Sequence, residues 1–146
     1  MAQCRRRRYG GPRLLAYRNG RRWVDLRSAD LNDRIKELAG GGFSAKDFRT
    51  WNATVLAAVS VAVLGAEAGT TGARKRAVNG SVKAVAAYLG NTPTVCRASY
   101  IDPRVFDRFR AGQTIAGTLE RPLESIDLAK RSAREEVEAA VIDLLA

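Results

Sequence analysis

A mainly α fold, five or six helices behind a short N-terminal β-hairpin, is what three features of this sequence predict. Apolar residues recur at three- and four-residue intervals from Ser28 to the carboxyl end. Residues that start helices, Ser28, Ser44 and Thr92-Pro93, alternate with glycines that stop them at 40–42, 90 and 112. Only from Leu14 to Leu26 does the pattern shorten, into two brief apolar runs on either side of Asn19-Gly20.

Residues 1–13 read as a flexible basic arm. Arg5 to Arg8 repel one another, and Gly10-Gly11-Pro12 breaks regular structure. The hairpin occupies 14–27, with Leu14-Leu15-Ala16-Tyr17 facing Trp23-Val24-Asp25-Leu26. Its turn is expected to be type I′, because Asn-Gly tolerates positive φ. A hairpin of this size is marginal alone and must lean on the helices C-terminal to it.

The helical core is expected over 28–112. Ser28 opens a helix with Leu31, Ile35 and Leu38 on one stripe, which ends at Gly40-Gly41-Gly42. Ser44 opens the next, with Asp47 placed to meet the exposed amides of its first turn. That helix runs into a nearly all-apolar stretch from Val55 to Leu64 and belongs in the middle of the core. Phe48, Trp51 and Leu89 read as core residues as well. After glycines at 65, 69 and 72, a third helix carries Val78, Val82, Val85, Ala86 and Leu89 to Gly90. Thr92-Pro93 and then Asp102-Pro103 restart helices, since proline in the first turn loses no hydrogen bond. Residues 120–146 hold a terminal helix with Val137, Val141 and Leu144 spaced i, i+4, i+7.

At 146 residues the chain fits one domain and can bury a core without metals or disulfides. The formal charge of +10 and a pI near 10.4 point to a polyanionic partner, nucleic acid before an acidic membrane. Arginine far outnumbers lysine, and its planar fork matches phosphate oxygens. The sequence has no histidine, so hydrolysis through Ser-His-Asp or Cys-His is excluded in its usual form. Cys4 and Cys96 lack metal-ligand spacing, so no zinc site is expected. No stretch reaches the roughly 20 apolar residues of a membrane span. Met1 leads into arginines rather than an apolar leader, so a soluble cytoplasmic monomer is the expectation.

Two segments carry the chemistry. The first is Ser44-Ala45-Lys46-Asp47-Phe48-Arg49-Thr50-Trp51. The second runs from Leu89 through Asn91-Thr92-Pro93-Thr94-Val95-Cys96-Arg97-Ala98-Ser99-Tyr100 to Pro103. Singly, each member has an ordinary reading. Lys46, Arg49 and Arg97 are solvated helix charges, Asn91 is a turn residue, and Tyr100 is a half-buried aromatic whose hydroxyl reaches a partner. The joint order and separation resemble type IB DNA topoisomerases of the compact poxvirus and bacterial kind, over about Leu14 to Arg110. Asparagine at position 91, where the poxvirus enzymes carry histidine, looks bacterial.

That resemblance implies a helical catalytic-core fragment over 14–146 acting on double-stranded DNA near the nucleoid. It implies Tyr100 as the nucleophile that joins DNA through a 3′-phosphate, leaving a free 5′-hydroxyl. The covalent ester conserves the bond energy, so on that resemblance supercoils relax with neither ATP nor another cofactor. Arg49 and Asn91 would donate to the non-bridging oxygens of the transition state, and Lys46 and Arg97 would contact DNA. The chain also departs from the family. The family's upstream arginine has no counterpart in Arg5–Arg8, and no lysine precedes Lys36 to protonate the leaving oxygen. An incomplete copy of such an enzyme is therefore expected. A non-catalytic basic DNA-binding remnant and a relative of the tyrosine recombinases and integrases stand as alternatives.

Overall fold

The computed structural model describes residues 14–119 and 122–146. The basic arm expected over 1–13 lies outside them. The chain divides into two compact units, residues 1–47 and 48–146.

In the first unit, β1 (Ala16–Asn19) pairs antiparallel with β2 (Arg22–Asp25), setting Tyr17 opposite Val24 and Arg18 opposite Trp23. Leu26 N–H closes the hairpin on the Leu15 carbonyl at 2.9 Å. The turn departs from type I′. Its central residues are Gly20 and Arg21, and only Gly20 has positive φ, at 59°. Glycine alone takes the strained first position, as in a type II′ loop. Helix α1 (Ser28–Ala39) begins where the Asp30 carboxylate accepts the Arg27 N–H at 2.7 Å, and it ends on Gly40 with φ of 78°. No residue of α1 is buried, and Leu31 and Leu38 are exposed. Its apolar stripe thus builds no core within this unit.

Helix α2 (Ala45–Gly65) starts at Ser44, whose N–H and hydroxyl both donate to Asp47 Oδ2, at 2.8 and 2.6 Å. The hydroxyl bond foremost holds the Asp47 carboxyl below its usual range. From Ala53 to Ala62 the helix is the axis of the second unit, with Ala53 and Ala57 fully buried. Helix α3 (Thr71–Leu89) starts at Thr70, whose hydroxyl accepts the Ala73 N–H at 3.1 Å. It approaches α2 closely enough for the buried Ser81 hydroxyl to donate to the Ala57 carbonyl at 3.1 Å. A longer side chain at 81 would not fit there, and an apolar one would waste the bond.

Two short helices come next, α4 (Pro93–Ser99) and α5 (Arg104–Arg110), then 3₁₀ turns at Ile115–Gly117 and Leu123–Ser125. The terminal helix α6 (Arg131–Leu145) is shorter than the 120–146 expectation. Pro122 and the Asp127 carboxylate, which accepts the Ala129 N–H at 3.0 Å, keep the chain in turns up to Lys130. Val105, Ile115, Val137 and Val141 are fully buried and join α5, the first 3₁₀ turn and α6 to the core formed by Val55, Val61, Val78 and Val82. Gly65 ends α2 where the Phe109 ring lies directly against its Cα, and a Cβ there would fall on the ring.

Phe48 corrects the sequence expectation, since it is 57 % exposed, while Trp51 and Leu89 pack at the core margin. Position 48 turns away from the α2 face that carries Ala53 and Ala57. Helix α2 is also longer than the apolar run within it. At 21 residues it meets the length and composition of a membrane span. Its first turn, however, carries Lys46, Asp47 and Arg49, and seven of its residues are buried in the protein, which is how a core helix is built.

Candidate active site

The C-terminal end of α3 organises the site. An α-helix leaves its last carbonyls without intrahelical partners, and a cation placed there is favoured. Arg49 takes this position, Nη2 donating to the Leu89 carbonyl at 2.6 Å. Its guanidinium carbon lies 5.0 Å from the centroid of the Tyr100 ring. One N–H of the five is used by Leu89, so most of the fork remains for an incoming acceptor.

Gly90, with φ of 68°, turns the chain back at the helix end, a conformation that would strain any residue bearing a Cβ. Asn91 N–H then bonds the Ala86 carbonyl at 2.9 Å, which fixes the next residues against α3. The side-chain amide nitrogen of Asn91 is buried and has no hydrogen-bond partner among the described residues. Orphaned buried donors are rare and costly, and one beside Arg49's anchor suits a site completed by an acceptor from outside. Immediately after it, the Thr92 hydroxyl caps α4 by accepting the Val95 N–H at 3.3 Å.

Tyr100 is the residue that ends α4, its N–H bonded to the Cys96 carbonyl at 3.0 Å, and its ring is half-buried. Cys96 beneath it is fully buried. Burial pushes that thiol up, partly offset by the charge of Arg49, so it is neutral at physiological pH. The chain after Tyr100 is tied down twice. Buried Thr54 donates to the Thr50 carbonyl at 2.9 Å and accepts the Asp102 N–H at 3.1 Å, linking the helix that bears Arg49 to the turn that bears Tyr100. Arg104 holds both carboxylate oxygens of Asp102 and donates to the Leu145 carbonyl at 2.9 Å, so α6 ends on the same turn. The Arg104 hydrogen bonds keep the Asp102 carboxyl below its usual range.

Of the five residues singled out from sequence, Arg49, Asn91 and Tyr100 are gathered at one end of α3. Arg97 is exposed on α4, its guanidinium 5.5 Å from the Phe106 ring. Lys46 is exposed in the first turn of α2, within the first unit. Sequence reading missed the Leu89 carbonyl, which has no side-chain signature. It also missed Thr54, whose one available signal was a hydroxyl inside an apolar run. Among the described residues no three His, Cys, Asp or Glu side chains group to hold a metal.

A tyrosine hydroxyl, an arginine fork and an orphaned amide donor can bind and attack a tetrahedral oxyanion. The model of the family described as eukaryotic DNA topoisomerase I, catalytic core, matches residues 18–120, more than two-thirds of the chain. The match spans the hairpin to the first 3₁₀ turn and so includes all three gathered residues. No curated protein matches the chain.

Proposed function

This chain belongs to the family of the eukaryotic DNA topoisomerase I catalytic core, and we propose that Tyr100 is its nucleophile in type IB strand cleavage and resealing. The contact of Arg49 with Tyr100, 51 positions apart in sequence, carries the reading.

In this reading the Tyr100 oxygen attacks a DNA phosphorus and the bond to the 5′-oxygen breaks. The tyrosine gives up its proton and the departing 5′-oxygen takes one up. The product is a 3′-phosphotyrosyl ester with a free 5′-hydroxyl, and reversal restores both groups. Negative charge grows on the two non-bridging oxygens as the phosphorus becomes five-coordinate. Arg49, fixed by Leu89 yet with N–H groups to spare, meets one of them, and the Asn91 amide gains its missing acceptor in the other. Cleavage conserves bond energy, so ATP does not enter the balance. Lys46 and Arg97 serve as phosphate contacts, and asparagine at 91 favours the bacterial branch of the compact enzymes. The place of action is the nucleoid in the cytoplasm.

The experiment is supercoil relaxation without ATP or magnesium, paired with trapping of a covalent adduct on a nicked duplex. Wild type should form the adduct, and Tyr100→Phe should bind the same duplex without forming it. If neither protein forms an adduct while both bind DNA, the chain is a non-catalytic DNA-binding member of the family and the nucleophile assignment fails.

A further inference from the structure

Two arginines hold helix ends on either side of Tyr100 in the chain. Ahead of it, Arg49 donates to the Leu89 carbonyl at the end of α3. Beyond it, Arg104 Nη1 donates to the Leu145 carbonyl at 2.9 Å, at the end of α6. That carbonyl is among those a helix leaves without an intrahelical partner, and a cation suits the negative end of the dipole. The other edge of the same guanidinium is on Asp102, with Nε 3.2 Å from both carboxylate oxygens and Nη2 2.9 Å from Oδ2. A planar fork serves both partners at once, whereas an ammonium is a single point of charge.

Asp102 has a plainer duty as well. Its Oδ1 accepts the Arg104 N–H at 2.9 Å and so starts α5. That bond needs no guanidinium, so the start of α5 does not account for the Arg104 side chain. Nor does ion-pair stability, because that side chain is 60 % exposed and exposed pairs contribute little. What the fork does is join α6 to the turn of the nucleophile. One residue, Ile101, separates Asp102 from Tyr100; it is buried, and its N–H is bonded to the Cys96 carbonyl at 3.2 Å. At the far end, α6 is seated on the core through Ala133, Val137, Ala140, Val141 and Leu145, all buried. Helix α6 lies beyond residue 120, where the family match stops.

We propose that Arg104 is a positioning residue for the reaction at Tyr100, through which the seating of α6 sets the nucleophile against Arg49. The inference rests on Tyr100 as the nucleophile and gives the terminal helix a part in the chemistry. Loosening α6 is then felt at Tyr100 only while Arg104 is present.

The test uses a duplex with sulfur in place of the bridging 5′-oxygen at one phosphate. The Tyr100 oxygen bonds to phosphorus, its proton passes to water, and the P–S bond breaks with its electron pair leaving on a thiolate, so no proton donor is required. Adduct formation is followed at saturating DNA, well below the Tm of each protein. Arg104→Ala keeps the backbone N–H that Asp102 accepts, and it should form the adduct about 10–100-fold more slowly, with duplex affinity and final yield unchanged. Arg104→Lys should recover only part of the rate. Val141→Ala, in the seat of α6, should slow the chain that has Arg104 and add nothing to Arg104→Ala. Hydrogen exchange at the Tyr100, Ile101 and Asp102 amides should quicken in Arg104→Ala while the amides of α3 keep their protection. A merely structural arginine would lower the yield and leave the rate. That outcome overturns the proposal, as does additivity with Val141→Ala or a wild-type rate and exchange in Arg104→Ala. Absence of adduct from every protein, wild type included, overturns the nucleophile assignment and this inference with it.

Discussion

Thr54→Val isolates one hydrogen bond that joins the Arg49 helix to the Tyr100 turn. Valine has nearly the shape of threonine, and position 54 is 2 % exposed, so the substitution leaves no cavity and removes only the hydroxyl. The Thr50 carbonyl it used to meet keeps its partner in the helix ladder, because α2 continues through residue 54. The Asp102 N–H loses its acceptor, and since this bond is part-buried the cost falls within about 1–3 kcal/mol, the upper end being that of a fully buried donor left unpaired. For a chain of this size that is a fall of roughly 2–12 °C in Tm, at about 2–4 °C per kcal/mol. Thermal and urea unfolding of wild type, Thr54→Val and Thr54→Ser measure it. Serine keeps the oxygen and should recover most of the loss, short of the methyl contribution. On the proposed reaction, valine should also slow adduct formation at saturating DNA, since Asp102 is two residues beyond Tyr100. Equal stability of Thr54→Val and wild type, or serine as damaging as valine, would refute the reasoning.

Three further outcomes are expected. Gly65→Ala should destabilise by about 1–3 kcal/mol, because its Cβ meets the buried Phe109 ring, and Phe109→Leu in the same chain should relieve part of the cost in urea unfolding. Asn91→Ala should leave unfolding nearly unchanged, as the amide nitrogen has no partner to lose among the described residues, yet lower the adduct-forming rate by about 10²–10³; a large stability loss with normal rate would reverse that assignment. Asp102 is depressed by Arg104, so the stability it contributes is complete above the unfolded carboxylate value near 3.8 and is lost as pH falls through the lower folded value. Asp102→Asn should flatten that part of a Tm-against-pH curve, and an acid limb identical to wild type would show that other carboxylates govern it.

Much of the helical order is written locally. Gly40 and Gly90 stop α1 and α3 through positive φ, Thr92 and Pro93 start α4, and alternating short runs about Gly20 make the hairpin. Each of these depends on neighbours within a turn. Where the expectation failed, the missing information was nonlocal. Phe48 is apolar and in phase with a helix, but the buried face of α2 is chosen by where α3 lies. The stripe of α1 has the right period and meets no core in its unit. The length of α6 turned on Pro122 and on the Asp127 side chain outcompeting a helix that the composition permits.

The sequence by itself determined the fold class, the basic charge, the exclusion of histidine chemistry and the motif residues Arg49, Asn91 and Tyr100. Those properties come from side-chain identity and from spacing along the chain. Only the tertiary structure decided that Arg49 lies on Tyr100, that the Leu89 carbonyl holds it, that Asn91 has a donor to spare and that Thr54 ties the two halves. Backbone carbonyls look alike in sequence, and a hydrogen bond between residues 48 positions apart leaves no periodic trace. Such contacts exist only once apolar burial has brought the helices together.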